Sequence, residues 1–213
     1  MINKHIVNIG YPRSGTTWLW ENANFEPKLD KENAILTTSL DFDHYVKYYK
    51  QYQISANFQP NLWCVDREII QFVQQHSTHI TLIVRNPFDF VERYFDWIYR
   101  DQNIKTLTDY IVYNGFVNYR DVVDRWSSNA TKFKVFFFDD LTSHPEKFFK
   151  QYMLFCEIPI ANNEQINYTT KVNANPKRDR IKLDFTQEQV KFINNQIDQF
   201  QVVAGRDISH WKR

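Results

Sequence analysis

Cysteine is scarce: only Cys64 and Cys156 occur in 213 residues, in no metal or redox spacing. Neither a disulfide framework nor a cysteine-built zinc site can organise such a chain, and a reducing compartment fits. An excess of one charge is also missing. The 26 Lys and Arg nearly balance the 25 Asp and Glu, for a net +1. That argues against a nucleic-acid binder working by bulk attraction, so any anion site must come from local clustering. No apolar run approaches the roughly 20 residues needed to span a bilayer. The start, Met1-Ile-Asn-Lys-His5, carries no legible leader. There is no repeat and no low-complexity tract. The expectation is a cytoplasmic protein with no transmembrane segment and no nucleic-acid partner. Aromatics, by contrast, are abundant at 17%, which supplies large apolar groups for a core. The length suits a single domain over residues 1–213.

Apolar periodicity predicts strands at His5–Gly10, Leu62–Val65, Ile80–Val84 and Lys134–Phe138, and helices at Thr16–Phe25, Asp41–Tyr52 and Pro87–Tyr99. Ile69, Phe72 and Val73 recur at helical spacing. Ser143-His-Pro-Glu146 reads as a capping box for a helix carrying Phe148, Phe149, Tyr152 and Met153. Thr186-Gln-Glu-Gln189 reads as another, ahead of Val190, Ile193, Ile197 and Phe200. Strands alternating with helices predict an α/β three-layer fold with a mostly parallel central sheet and a P-loop-like strand-loop-helix at its start. Ligands of such folds sit at the carboxyl ends of the strands. Two basic, turn-forming segments fall there: Arg13 to Thr17 after the first strand, and Arg85 after the third.

The first, Gly10-Tyr-Pro-Arg-Ser-Gly15-Thr16-Thr17, has P-loop spacing with one change: Thr16 stands where nucleotide kinases carry lysine. The backbone cradle for a phosphate remains, but the side chain that neutralises a γ-phosphate is gone. Pro12-Arg-Ser-Gly-Thr-Thr-Trp18 resembles the 5′-phosphosulfate loop of sulfotransferases that use 3′-phosphoadenosine 5′-phosphosulfate (PAPS) as donor. The resemblance implies that Arg13 contacts the phosphate–sulfate bridge, that Ser14, Gly15, Thr16 and Thr17 bind the 5′-phosphate, and that Trp18 lies near the adenine. Leu82-Ile-Val-Arg85-Asn-Pro87 resembles the family's 3′-phosphate motif, which gives that phosphate to Arg85. The serine that completes the family motif eight residues on is replaced by Arg93, which offers a bidentate contact instead. Lys177, Arg178 and Arg180 occupy the region where many members close a basic loop over the donor.

The resemblance implies PAPS as donor, adenosine 3′,5′-bisphosphate as product and no metal. Sulfuryl transfer requires in-line positioning, charge stabilisation at the leaving oxygen and removal of the acceptor's proton. The histidine that small-molecule members use is missing from Leu62-Trp-Cys-Val-Asp66-Arg67. Heparan-type members often place a carboxylate after the first helix, where Lys31-Glu32 stands. The expected base is therefore Glu32, with Asp66 and Arg67 in the acceptor site and His44 in reserve. A saccharide or glycan hydroxyl (or amine) is the expected acceptor. A P-loop kinase, for which Asp139-Asp140 would be the only magnesium candidate, and a non-catalytic nucleotide-binding module remain the alternatives.

Overall fold

Among the described residues four short strands form one sheet: β1 (Lys4–Asn8), β2 (Ile54–Phe58), β3 (His79–Val84) and β4 (Phe133–Phe137), in the order β2-β1-β3-β4 and all parallel. The computed structural model describes residues 4–11, 14–23, 42–50, 54–58, 62–98, 104–128, 132–160, 168 and 182–213. They divide into two units, Met1–Val84 with Trp126–Ala174, and Arg85–Arg125 with Asn175–Arg213.

The sheet belongs to the first unit. β3 is buried along its whole length, and its last three residues, Leu82-Ile-Val84, are apolar without alternation, as suits a strand covered on both faces. Ile6, Ala56, Phe58, Ile83 and Phe136 turn to one face and share a core with Trp18 and Leu19 of α1 (Thr16–Asn22) and with Phe148, Phe149, Tyr152 and Met153 of α8 (Pro145–Phe155). On the opposite face His5 of β1 meets Tyr45 of α2 (Phe42–Tyr49) at 2.6 Å. Phe42 and Tyr45 pack in turn on Phe72 of α3 (Arg67–His76). Helix, sheet, helix is the expected three-layer α/β arrangement.

Two local readings fail here. Leu62–Cys64 is a single 3-10 turn, not a strand, and the second strand is Ile54–Phe58. The sheet explains why: β2 covers one edge of β1 from Lys4↔Ile54 to Asn8↔Phe58 while β3 takes the other, so β1 has no edge left for residues 62–65. The capping box at Ser143 is also absent. Ser143 closes α7 (Phe138–Ser143), its hydroxyl donates to the Asp139 carbonyl at 2.6 Å, and His144 precedes α8 without a side-chain cap. Proline at the first position of α8 supplies a preset φ instead.

The second unit is helical: α4 (Pro87–Ile98), α5 (Ile104–Tyr113), most of α6 (Tyr119–Ser127) and α9 (Gln187–Ala204). Phe88, Phe90, Phe95, Ile111, Val112, Ile193, Ile197 and Phe200 are buried. Trp211 stacks on Phe200 at 6.4 Å and Tyr119 meets Phe200 edge-on at 5.4 Å. The capping box at Thr186 is present in both directions, with Gln189 N donating to Thr186 Oγ1 at 3.2 Å and Thr186 N donating to Gln189 Oε1 at 2.8 Å. Gln189 also reaches Asp109 of α5 at 2.7 Å, tying the cap to its neighbour.

Candidate active site

The chain leaving β1 stays on the sheet for three more residues. Ile9 N donates to Thr81 O at 2.8 Å and Tyr11 N to Ile83 O at 3.3 Å. Beyond them the chain turns. Ser14 is fully buried, and both its N–H, at 3.2 Å, and its hydroxyl donate to the Tyr11 carbonyl. In this conformation Ser14 closes the loop, and its donors serve the turn. Gly15 follows at φ 90° and ψ 7°, the left-handed region that glycine adopts without strain, and it is the N-cap of α1 with no side-chain cap bond. Glycine is required there for a second reason. A Cβ would run into Leu141 Cδ2 and lie 3.1 Å from Phe138 Cδ2. The loop is thus a bare-backbone turn leading into a helix start that no side chain caps, the arrangement that suits a phosphate.

Thr16 is buried at the first helical position and Thr17 is half-buried beside it. Trp18 is only 7% exposed and meets Phe149 edge-on at 6.2 Å, so its ring is a core group that anchors α1 to α8. Arg13, assigned by resemblance to the bridge oxygen, lies outside the described residues, as do Glu32, Lys177, Arg178 and Arg180. His44 is on α2, with its side chain outside the described set.

Arg85 directly follows Val84, the last residue of β3, and begins the second unit. Its side chain is 12% exposed, with Nε 3.9 Å from Asp89 Oδ2 one helical turn on. Its carbonyl accepts from the Tyr119 hydroxyl at 2.8 Å. Asn86 explains the middle of the Arg-Asn-Pro motif. Its Oδ1 accepts from Phe88 N at 3.0 Å, capping α4, while its Nδ2 donates to Trp211 O at 3.2 Å. Arg93 is half-buried on α4. Asp89 is shared with Arg213, whose Nη2 is 4.0 Å away and whose guanidinium also contacts Glu92 at 3.2 Å and lies over Phe88.

Asp66 is the exposed N-cap of α3 and makes no side-chain cap bond; Arg67 is the exposed first residue of that helix. Both follow the 3-10 turn rather than a strand. Asp139 and Asp140, the magnesium candidate of the kinase alternative, fall in the first turn of α7. Among the described residues no group of three His, Cys, Asp or Glu is arranged to hold a metal.

Sequence reasoning missed the groups behind the loop. Asn8 is fully buried, and its Oδ1 accepts from Gly10 N at 3.0 Å while its Nδ2 donates to Thr81 Oγ1 at 2.9 Å. The signal was one polar residue in the apolar run Ile6-Val-Asn-Ile9. Tyr152, whose hydroxyl is 3.1 Å from Thr81 Oγ1, has its pKa raised well above the usual phenol range by burial.

The model of the sulfotransferase domain family matches residues 3–200. Among solved structures the chain is similar to a sulfotransferase from Alicyclobacillus acidocaldarius, with a TM-score of 0.70, 12% identity and full coverage of both chains. It is also similar to mouse sulfotransferase SULT7A1 complexed with PAP, with a TM-score of 0.63 and 16% identity over 99% of this chain and 88% of that one. A third, the sulfotransferase domain of the Synechococcus PCC 7002 olefin synthase, gives a TM-score of 0.53 and 14% identity over 91% of this chain and 94% of that one. No curated protein matches the sequence.

Proposed function

The chain belongs to the sulfotransferase domain family, whose model it matches over residues 3–200, and on that premise we propose that it moves a sulfuryl group from PAPS to a hydroxyl or amine of a saccharide or glycan. The observation that carries the proposal is the loop after β1: uncapped helix start, Gly15 in the left-handed region, and Thr16 in place of the kinase lysine. A bare-backbone cradle of this kind holds a phosphate but offers no ammonium to a γ-phosphate.

In the proposed reaction the loop amides around Gly15 to Thr17 take the 5′-phosphate and Arg85 the 3′-phosphate, with Arg93 in place of the family's serine and Lys177, Arg178 and Arg180 closing over the donor. Arg13 stabilises charge on the bridging oxygen as its bond to sulfur breaks. The acceptor oxygen attacks sulfur in line with that leaving oxygen, as in phosphoryl transfer. Its proton passes to the Glu32 carboxylate, the new S–O bond forms, and adenosine 3′,5′-bisphosphate departs. Asp66 and Arg67, both exposed at the start of α3, orient the acceptor. The family match running through both units supports one functional domain. A reducing, cytoplasmic setting is supported by the scarcity of cysteine, with Cys64 and Cys156 the two in the sequence. No helix among the described residues is long and apolar enough to cross a membrane.

Calorimetry with adenosine 3′,5′-bisphosphate, AMP and ATP tests the donor assignment. The bisphosphate should bind tightest of the three. AMP binding equally well would mean that Arg85 reads no 3′-phosphate, and preference for ATP would return the chain to the kinase reading.

A further inference from the structure

We propose that Asn8 is a positioning residue for the phosphate loop, acting through a buried chain of polar groups that runs from Gly10 through Asn8 and Thr81 to Tyr152. The inference rests on the proposed role of the loop as the 5′-phosphate site.

The orientation of the Asn8 amide follows from its partners. Gly10 N–H can only donate, so the side-chain atom 3.0 Å from it is Oδ1, which directs Nδ2 to Thr81 Oγ1 at 2.9 Å. Thr81 Oγ1 lies 3.1 Å from the Tyr152 hydroxyl. All three side chains are buried, on the face of the sheet otherwise filled by Ile6, Ile83, Phe136, Phe148 and Phe149. Stability alone does not account for such a group. Apolar side chains of the same shape in place of both partners of a buried hydrogen bond can be nearly neutral or stabilising, whereas a buried donor left unpaired is costly.

What the chain of bonds does is hold Gly10. The neighbouring residues are tied to β3 by Ile9 N and Tyr11 N, and Asn8 supplies the partner for the one N–H between them. Gly10 is also squeezed. A Cβ there would sit 2.8 Å from Asn8 Oδ1 and 2.8 Å from Thr16 Cγ2. Bare backbone is therefore clamped between the strand end and the first turn of α1. If Asn8 is removed, Gly10 N–H must find another partner, and the loop that carries Ser14 to Thr17 shifts with it. Thr81 on β3 and Tyr152 on α8 brace Asn8 from behind, so the loop is positioned by three elements that are distant in sequence.

The test separates the two ends of the ligand. Affinities of Asn8→Leu and Thr81→Val for adenosine 3′,5′-bisphosphate and for adenosine 3′-phosphate are measured by calorimetry, with thermal melts as a fold control. Asn8→Leu should weaken the bisphosphate by about tenfold, the scale of one lost bond to a buried donor, and leave adenosine 3′-phosphate at its wild-type affinity. Thr81→Val, which keeps the Gly10 bond but removes the brace, should shift in the same direction by less. It also carries the test alone if Asn8→Leu fails to fold. Unchanged affinities in both variants, or equal weakening of both ligands, would overturn the positioning role. A wild-type protein that binds the bisphosphate no more tightly than adenosine 3′-phosphate would overturn the loop's phosphate role itself, an outcome read without any variant.

Discussion

Acid should unfold this protein through His5. The imidazole is completely buried, with Nε2 2.6 Å from the Tyr45 hydroxyl and Nδ1 2.8 Å from Ser55 Oγ. Ser55 Oγ also donates to Lys4 O at 3.5 Å, so it accepts from Nδ1–H, and the Tyr45 phenol donates to Nε2. That is a neutral ring with both nitrogens satisfied. Burial, with a smaller contribution from the charge of His76, lowers its pKa from 6.5 to about 3. In the unfolded chain the same ring protonates near 6.5, so between these values the unfolded state binds more protons and stability falls as pH falls. The whole window is worth about 5 kcal/mol at about 1.4 kcal/mol per unit. Between pH 7.5 and pH 5 the loss from this one group is about 2 kcal/mol. Urea unfolding of wild type and His5→Gln at these two pH values isolates it, because His76, His79 and the carboxylates are present in both proteins. With a slope of about 2 kcal/mol per molar urea, the wild-type midpoint should drop about 1 M further than that of the variant. Parallel losses in the two proteins would show that His5 does not carry a buried neutral ring.

Three further outcomes are expected. Gly15→Ala forces an alanine to φ 90° and a methyl group into Leu141, so it should cost at least about 1 kcal/mol in urea unfolding; a variant as stable as wild type would contradict the loop geometry. Arg93→Ser should keep donor binding and Arg93→Glu should abolish it in calorimetry, whereas affinity untouched by Arg93→Glu would place that side chain away from the 3′-phosphate. Glu32→Gln should lower turnover under saturating PAPS by about a hundredfold to ten-thousandfold, with donor affinity near wild type; retained turnover beside a loss in His44→Ala or Asp66→Asn would move the base to the other candidate.

The features legible in the sequence were those written within one or two helical turns. The capping box at Thr186 needs only two residues three apart, and it is present as expected. The box at Ser143 uses the same grammar but fails, because the Ser143 hydroxyl finds the Asp139 carbonyl one turn back. Helices α5 and α6 went unread, although Ile111, Val112, Val122 and Val123 are buried along them. The apolar residues 62–65 suggested a strand, but periodicity over so few residues does not distinguish a strand from a single turn. Pairing decided it, since Ile54–Phe58 already lies along β1.

The sequence by itself determined the glycine-bearing turn between β1 and α1, the Arg-Asn-Pro motif after β3 and, through alternating strands and helices, the α/β class. These are consecutive residues whose backbone geometry follows from glycine, proline and short-range capping. Only the tertiary structure decided what stands behind the loop. Asn8, Thr81 and Tyr152 are separated by 73 and 71 positions and meet because β1, β3 and α8 pack on one face. His5, Tyr45 and Ser55 meet across the other face in the same way. A hydrogen bond acts over about 3 Å in space whatever the separation along the chain, so local pattern carries no trace of such partners beyond a polar residue where an apolar one is expected.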